Sequence, residues 1–449
     1  MPERPRSYSM PMTLEKHFQN LADHYPEVEE ARSLWLLLKK RIEDELIHSR
    51  SVFVNYSLHD GSHSRSIIQA IERFLGEERI TQLSATDTFM LLSCTYAHDY
   101  GMARAFNKIY NILGSAEFMD FLKEKGKNQH FLEEEDRWAV NNLLKYVSDK
   151  KASIDLKDIY FSIMLVIQLY IRPTHWQGVL DIKNDFKGLF LGHLKKRFIH
   201  GSEGIVEICM CHGQSIKELL ELPFCADGMM GDDYHPRFVA SMLRLGDLLD
   251  LDNGRFPMWF INEIAHDNSL IPNLSIQHFR KHEAVSHLLV TPDSIEIVAK
   301  CHSSEIKNTE ETNLKLNEIK IENAQKESYE VARLISEWTE LLSMECHEMV
   351  LNWDKIAQPN FGFPPANLKV KIYVDGNEYM SENRALQMQM SQERVMNLLE
   401  GTSIYKDRYV GIREMIQNAI DASLLQLWKD LIENRYISYD LSKDKIKSG

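Results

Sequence analysis

The dipeptide His98-Asp99 ends the apolar run FMLLSCTYA (89–97), and Asp247 lies inside a second apolar stretch, SMLRLGDLLDLD (241–252). A carboxylate in such surroundings loses hydration on burial and is costly unless something compensates it. The chain must therefore fold so that these acids meet a partner. His63, His175 and His212 supply candidates, each in a segment that reads as helix. Imidazole nitrogens mixed with carboxylate oxygens suit a divalent transition metal such as manganese, iron or zinc. They suit calcium or a Cys-only zinc site poorly. A metal held by side chains from separate helices can acidify a water and polarise a phosphoryl oxygen, so phosphate-ester hydrolysis is the chemistry to expect.

The segments around these residues follow helical spacing. Residues 1–11 read as a loose tail, and Thr13–Ser49 as two helices. SHSRSIIQAIERFL, TDTFMLLSCTYAHDYGMARAF, RWAVNNLLKYVSD, KDIYFSIMLVIQLYI, NDFKGLFLGHLKK, GSEGIVEICMCHGQSIKELLE and PRFVASMLRLGDLLDL follow, punctuated by Gly, Pro, Asp and Asn. The texture changes after Pro257. SHLLVTPDSIEIVAKC alternates apolar and polar residues around a Pro-Asp turn, which predicts a hairpin. A long amphipathic helix is expected over Glu310–Met349, then a linker at FGFPPA and a strand and turn at NLKVKIYVDGNEY.

With 449 residues, of which 44% are apolar and 26% charged, the chain has room for several domains with real cores. The formal charge of −14 disfavours extended nucleic acid and anionic membranes, and leaves a small phosphorylated molecule or nucleotide as the favoured partner. A homodimer stays open. No secretory leader is legible, and the apolar stretch near Ile159–Ile171 is too interrupted to span a bilayer, so the expected location is cytoplasmic. The six cysteines form no CxxC pair and read as reduced, buried thiols.

His63, the His98-Asp99 pair and the distant Asp247 resemble the ligand set of the HD phosphohydrolase superfamily, over roughly residues 46–257. Three His-Asp dipeptides occur, at 59–60, 98–99 and 266–267. Only the second combines an apolar helical context with an upstream histidine and a downstream aspartate. In two-metal members of that superfamily additional histidines join the site, and His175 and His212 match those places. The resemblance implies a metal site of His63, His98, Asp99, His175, His212 and Asp247, holding one or two ions, with Asp99 catalytic. Arg244, one turn before Asp247, reads either as a phosphate binder or as an anchor for a carboxylate, the latter slightly favoured.

GIREMIQNAIDASLLQLW (411–428) carries a second signature. At about 100° per residue, Glu414, Asn418 and Asp421 fall within roughly 60° of arc. Ile412, Met415, Ile416, Ala419 and Ile420 take the opposite, core-type face. The strip resembles the first ATP-binding motif of the Bergerat-fold (GHKL) ATPases, and is especially close to their chaperone-like branch. The resemblance implies Glu414 as general base, Asn418 as magnesium ligand and Asp421 beside the nucleotide, with Mg and ATP as cofactors of the intact protein. Only 28 residues follow Asp421, and their sole glycine is Gly449. The Asp-x-Gly-x-Gly turn and glycine-rich lid of that fold are thus not in this chain, which is expected to stop inside the ATPase domain.

The combination resembles a bacterial arrangement found in predicted anti-phage conflict systems, an HD-type domain joined to a chaperone-like ATPase. The expectation is a mainly α chain in four parts. A helical extension covers 1–45, an HD-type domain 46–257, an α+β connector with the long helix 258–380, and an incomplete α+β Bergerat-fold portion 381–449. The rival expectation is a non-catalytic HD-fold sensor or partner-binding module governed by an ATP-binding domain.

Overall fold

Every residue of one helix, Ala85–Ala97, is buried, which makes it the axis around which the others pack. A helix buried on all sides has no solvent face to present. In the computed structural model the described residues are 12–47, 61–103, 106–148, 155–186, 188–189, 198–199, 201–251, 273–302, 314–364 and 367–385, with 419–420, 422–424, 437–438 and 447–448.

The chain begins with α1 (Leu14–Ala22), whose N-cap Thr13 hydroxyl accepts the Lys16 N–H at 3.1 Å. It continues through α2 (Pro26–Leu46), α3 (Gly61–Ile80) and the axial α4 (Ala85–Ala97). A 3-10 turn, His98–Met102, ends α4. Helices α5 (Phe106–Leu113), α6 (Ala116–Lys127), α7 (Glu134–Ser148) and α8 (Leu156–Ile171) form a lobe with its own small core of Phe118, Leu122, Val140, Leu143, Val166 and their neighbours. The chain returns through a 3-10 stretch, Arg172–Asp181, and α9 (Ile182–Asp185). Then come α10 (Ile205–Met210), a 3-10 turn at Cys211–Gly213, α11 (Ile216–Leu219), a two-residue ribbon of β1 (Ala226–Asp227) and β2 (Asp233–Tyr234), and α12 (Pro236–Leu248). The sequence predicts one helix across residues 201–221. The structure instead breaks it into two short helices around a turn.

α13 (Asn273–Ala284) leads into the hairpin expected at the Pro-Asp turn, β3 (Val285–Val290) with β4 (Ser294–Cys301). β5 (Asn367–Val374) pairs parallel with β4, and β6 (Asn377–Ala385) closes the sheet antiparallel, in the order β3-β4-β5-β6. A parallel pair needs a long crossover, and α14 (Leu314–Leu351) provides it. Ile295, Ile297, Ala299 and Cys301 of β4, with Leu368, Val370, Ile372 and Val374 of β5, are buried at alternate positions beneath α14. Ala332, Ile335, Leu342 and Met349 of α14 join these and the helices α1–α4 and α12 in one continuous core.

After α15 (Trp353–Ile356) the FGFPPA stretch is more than a linker. Phe361 is buried and stacks on Phe238 at 4.3 Å between ring centroids, and the Trp353 indole donates to the Gly362 carbonyl at 2.5 Å. Residues Met1–Leu386 form one compact unit and Gln387–Gly449 a second. In the second, β7 (Ile437–Ser438) pairs antiparallel with β8 (Lys447–Ser448). Ala419 and Ile420, the described residues of the face that periodicity marks as core, are exposed. Also among the described residues, no helix is long and apolar enough to cross a membrane.

Candidate metal centre

α3 and α12 approach closely because of Gly246. A side chain there would press on Ile67 and Ile71 of α3, with the Ile67 Cγ2 only 2.9 Å from a Cβ. The approach sets His63, near the start of α3, beside Asp247, near the end of α12. The axial α4 delivers His98 and Asp99 at its C-terminal end into the same space. The His63 Nε2 lies 3.2 Å from the His98 Nε2, 3.1 Å from Asp99 Oδ2 and 3.4 Å from Asp247 Oδ1. The His98 Nε2 lies 3.4 Å from Asp99 Oδ2 and 3.6 Å from Asp247 Oδ1.

A second group uses the other oxygen of Asp99. Asp99 Oδ1 is 3.4 Å from the His175 Nε2, which is 3.0 Å from the His212 Nε2. The structure thus brings together all six residues that the sequence singles out for metal, in two groups that share Asp99. His175 and His212 do not sit on α-helices, as expected from sequence; each sits in a 3-10 segment. Gly101 lets the His98–Met102 turn meet the Arg172–Asp181 stretch, because a Cβ there would run into the His175 carbonyl.

The hydrogen bonds of the four imidazoles decide what the site can hold. His98 Nδ1 faces the Thr95 carbonyl at 3.0 Å, His175 Nδ1 the Arg172 carbonyl at 2.7 Å, and His212 Nδ1 the Cys209 carbonyl at 2.5 Å. His63 Nδ1 faces the Asp250 carboxylate at 2.5 Å. Carbonyl and carboxylate oxygens only accept, so each Nδ1 carries a proton, and in the neutral ring each Nε2 is a bare lone pair. Four imidazole nitrogens and two carboxylates then converge, and a cation is what such a set accommodates. Ligand atoms on one ion at about 2.0–2.3 Å lie about 2.8–3.8 Å from each other, and the distances given above fall in that range. The residues fit one or two divalent ions.

Without an ion, protons take that role. Burial disfavours a charged His98, yet the facing Asp99 and Asp247 carboxylates outweigh it and hold the ring well above its usual range. Burial likewise opposes the charge of Asp247, but its hydrogen bonds to His63 and His98 keep it well below the carboxylate range. His212 moves the other way, down to about 4, first through burial and then through the positive His98 beside it.

Asp250 is the residue that sequence reasoning missed. It is buried and orients His63 from behind, an arrangement that fixes the ring and raises its basicity as a ligand. Its signal lay in the same DLLDLD run as Asp247. Arg244 anchors a carboxylate, as the slightly favoured reading had it: its guanidinium meets Glu345 of α14. The cysteines next to His212 take no part, since the Cys209 thiol donates to the Cys94 carbonyl and the Cys211 thiol to the Glu207 carbonyl. Glu414, Asn418 and Asp421 lie outside the described residues. An apolar cavity of about 590 Å³, lined by Phe224, Val350, Trp353 and Phe363 among others, contains none of the site residues.

A family model described as HD-CE matches residues 53–333, more than half of the chain, and runs past the helical region into α14. No curated protein and no solved structure matches.

Proposed function

The chain belongs to the HD-CE family, and on that premise we propose that it is a metal-dependent phosphohydrolase acting on a phosphomonoester or phosphodiester, with a small nucleotide as the favoured substrate. The observation that carries the reading is Asp99, whose two carboxylate oxygens face two separate sets of imidazole nitrogens. His63, His98, Asp99 and Asp247 would hold one ion, and Asp99, His175 and His212 a second. Ions so held lower the pKa of a coordinated water and neutralise charge developing on a phosphoryl group.

The chain's own groups prepare that chemistry. The Thr95, Arg172 and Cys209 carbonyls and the Asp250 carboxylate lock the four rings in the tautomer that presents Nε2. Asp99, common to both groups, is the catalytic residue of this reading. The side chains of Asp247 and His175 are 33% and 24% exposed, against 6% or less for His63, His98 and Asp99, so substrate approaches past Asp247 and His175. The net charge of −14 supports a small anion neutralised locally by metal over a long polyanion.

The reading extends to Mg and ATP at Glu414, Asn418 and Asp421, to coupling between the phosphohydrolase site and an ATPase, and to a role in anti-phage defence in the cytoplasm. These extensions rest on sequence resemblance alone. The test is elemental analysis of the purified chain together with turnover of a generic phosphodiester such as bis(p-nitrophenyl) phosphate. Bound transition metal with turnover lost in Asp99→Ala is the expected result. A metal-free, inert chain would return the domain to the role of a sensor or partner-binding module.

A further inference from the structure

Arg244 touches three parts of the molecule at once. It belongs to α12, one turn before Asp247. Its Nε and Nη2 donate to the two oxygens of Glu345 on α14, both at 2.6 Å, in the two-pronged geometry that only arginine offers a carboxylate. Its Nη1 donates to the Cys211 carbonyl at 2.7 Å and to the Gln214 carbonyl. Those two carbonyls bracket His212. Arg244 and Glu345 are about nine-tenths buried, so water does not compete for these bonds.

The segment so gripped needs a grip. His212 sits in a three-residue 3-10 turn between helices of six and four residues, elements too short to hold a ring in place by their own hydrogen bonds. α14 also holds the C-terminal end of α12, where the Trp338 indole donates to the carbonyl of Leu248, next to Asp247, at 3.0 Å.

We propose that Glu345, acting through Arg244, is a positioning residue for the second metal group: α14 fixes the turn that presents His212 and so decides whether the outer ion is held. The inference rests on the two-ion reading of the site. It makes the long helix a handle on the metal centre, since a shift of α14 that separates Glu345 from Arg244 would release the outer ion and leave the inner group in place.

The experiment is metal stoichiometry and amide hydrogen exchange on the full chain, comparing wild type with Glu345→Gln and with the double variant Arg244→Met/Glu345→Met. Apolar replacement of a buried ion pair is commonly tolerated, so the double variant guards against a simple folding defect. Expected are about two ions per chain in the wild type and about one in both variants, with exchange over residues 205–216 faster by about tenfold or more and α4 unchanged. Two ions retained by the double variant would overturn the positioning role and reduce the pair to compensated charge. Unchanged exchange over 205–216 in Glu345→Gln would overturn it too. A wild type that binds no metal sinks the reading of the site instead, and the exchange data then decide separately whether Glu345 orders the His212 turn.

Discussion

The two halves of the metal centre share a carboxylate but are built differently. His63, His98 and Asp247 come from α3, the end of α4 and α12, helices packed in the main core, and the histidines are almost fully buried. His175 and His212 come from 3-10 segments, are partly exposed, and take their orientation from neighbouring carbonyls. The inner half is rigid because its ligands extend from elements that would be buried anyway. The outer half depends on close approaches and on a clamp from a distant helix. On the two-ion reading, the contrast predicts an inner ion that would stay and an outer ion that would exchange.

The largest effect should follow from removing what the halves share. Asp99→Ala is expected to leave a folded helical chain with little metal and phosphodiester turnover lowered by more than about a thousandfold, because the acidified water is lost with the ions. An Asp99→Ala chain that still loads two ions would break the comparison outright.

Gly101→Ala strikes the contact between the turn of His98 and Asp99 and the stretch that carries His175. The new Cβ meets the His175 carbonyl, so the 3-10 stretch must retreat from Asp99. Elemental analysis should show one ion lost, and denaturant unfolding a cost of about 1–3 kcal/mol for the forced shift. Asp250→Asn strikes the inner half from behind. The inner ion should bind about 10- to 100-fold more weakly, as when other ligand-orienting carboxylates are removed, while the outer group's affinity for metal is unchanged in competition titrations.

Protons offer the smallest and sharpest test. In the metal-free chain His98 titrates well above 6.5, so at neutral pH it is charged and an ion entering the inner half must displace its proton. His212, at about 4, is already neutral and gives up none. Calorimetry in buffers of different ionisation enthalpy should therefore show proton release on inner binding, and none from His212 on outer binding. Stability follows the same signs. A raised His98 stabilises the metal-free fold fully below the unfolded value of about 6.5, and that contribution disappears as pH rises through its folded value. A depressed His212 does the reverse: the unfolded chain takes the proton first, so stability falls as pH drops from about 6.5 to about 4. Thermal melts of metal-free His212→Asn that kept the wild-type slope across that window would contradict the assignment.

Much of this was legible in the residues. The apolar run before His98-Asp99 reports a helix buried on all sides, because hydrophobic periodicity is a local property. The turn at Pro292-Asp293 and the alternation beside it report the β3–β4 hairpin for the same reason. Asp99 and Asp247 stand out against their apolar neighbours, and the full set of six metal residues is what the resemblance to the HD superfamily implies. Asp250 could not be separated from the other acids of DLLDLD, since only the packing of α12 on α3 decides which of them reaches His63. The break at Cys211–Gly213 was also hidden: the stretch keeps helical spacing, and the contacts that hold the turn come from Arg244 and, at Gly213, from close packing on Trp176.

The sequence by itself determined which segments are helical or extended, where the core helix runs, and which side chains are too expensive to bury without a partner, because these follow from short-range periodicity and from the desolvation of single groups. Only the tertiary structure decided that Asp99 serves two sets of ligands, that Asp250 stands behind His63, that β4 and β5 pair in parallel across α14, and that Glu345 reaches Arg244 from 101 positions away. Each of these is a contact between groups far apart in the chain, and at the metal centre the geometry also needs Gly246 and Gly101, where a side chain would hold the segments apart.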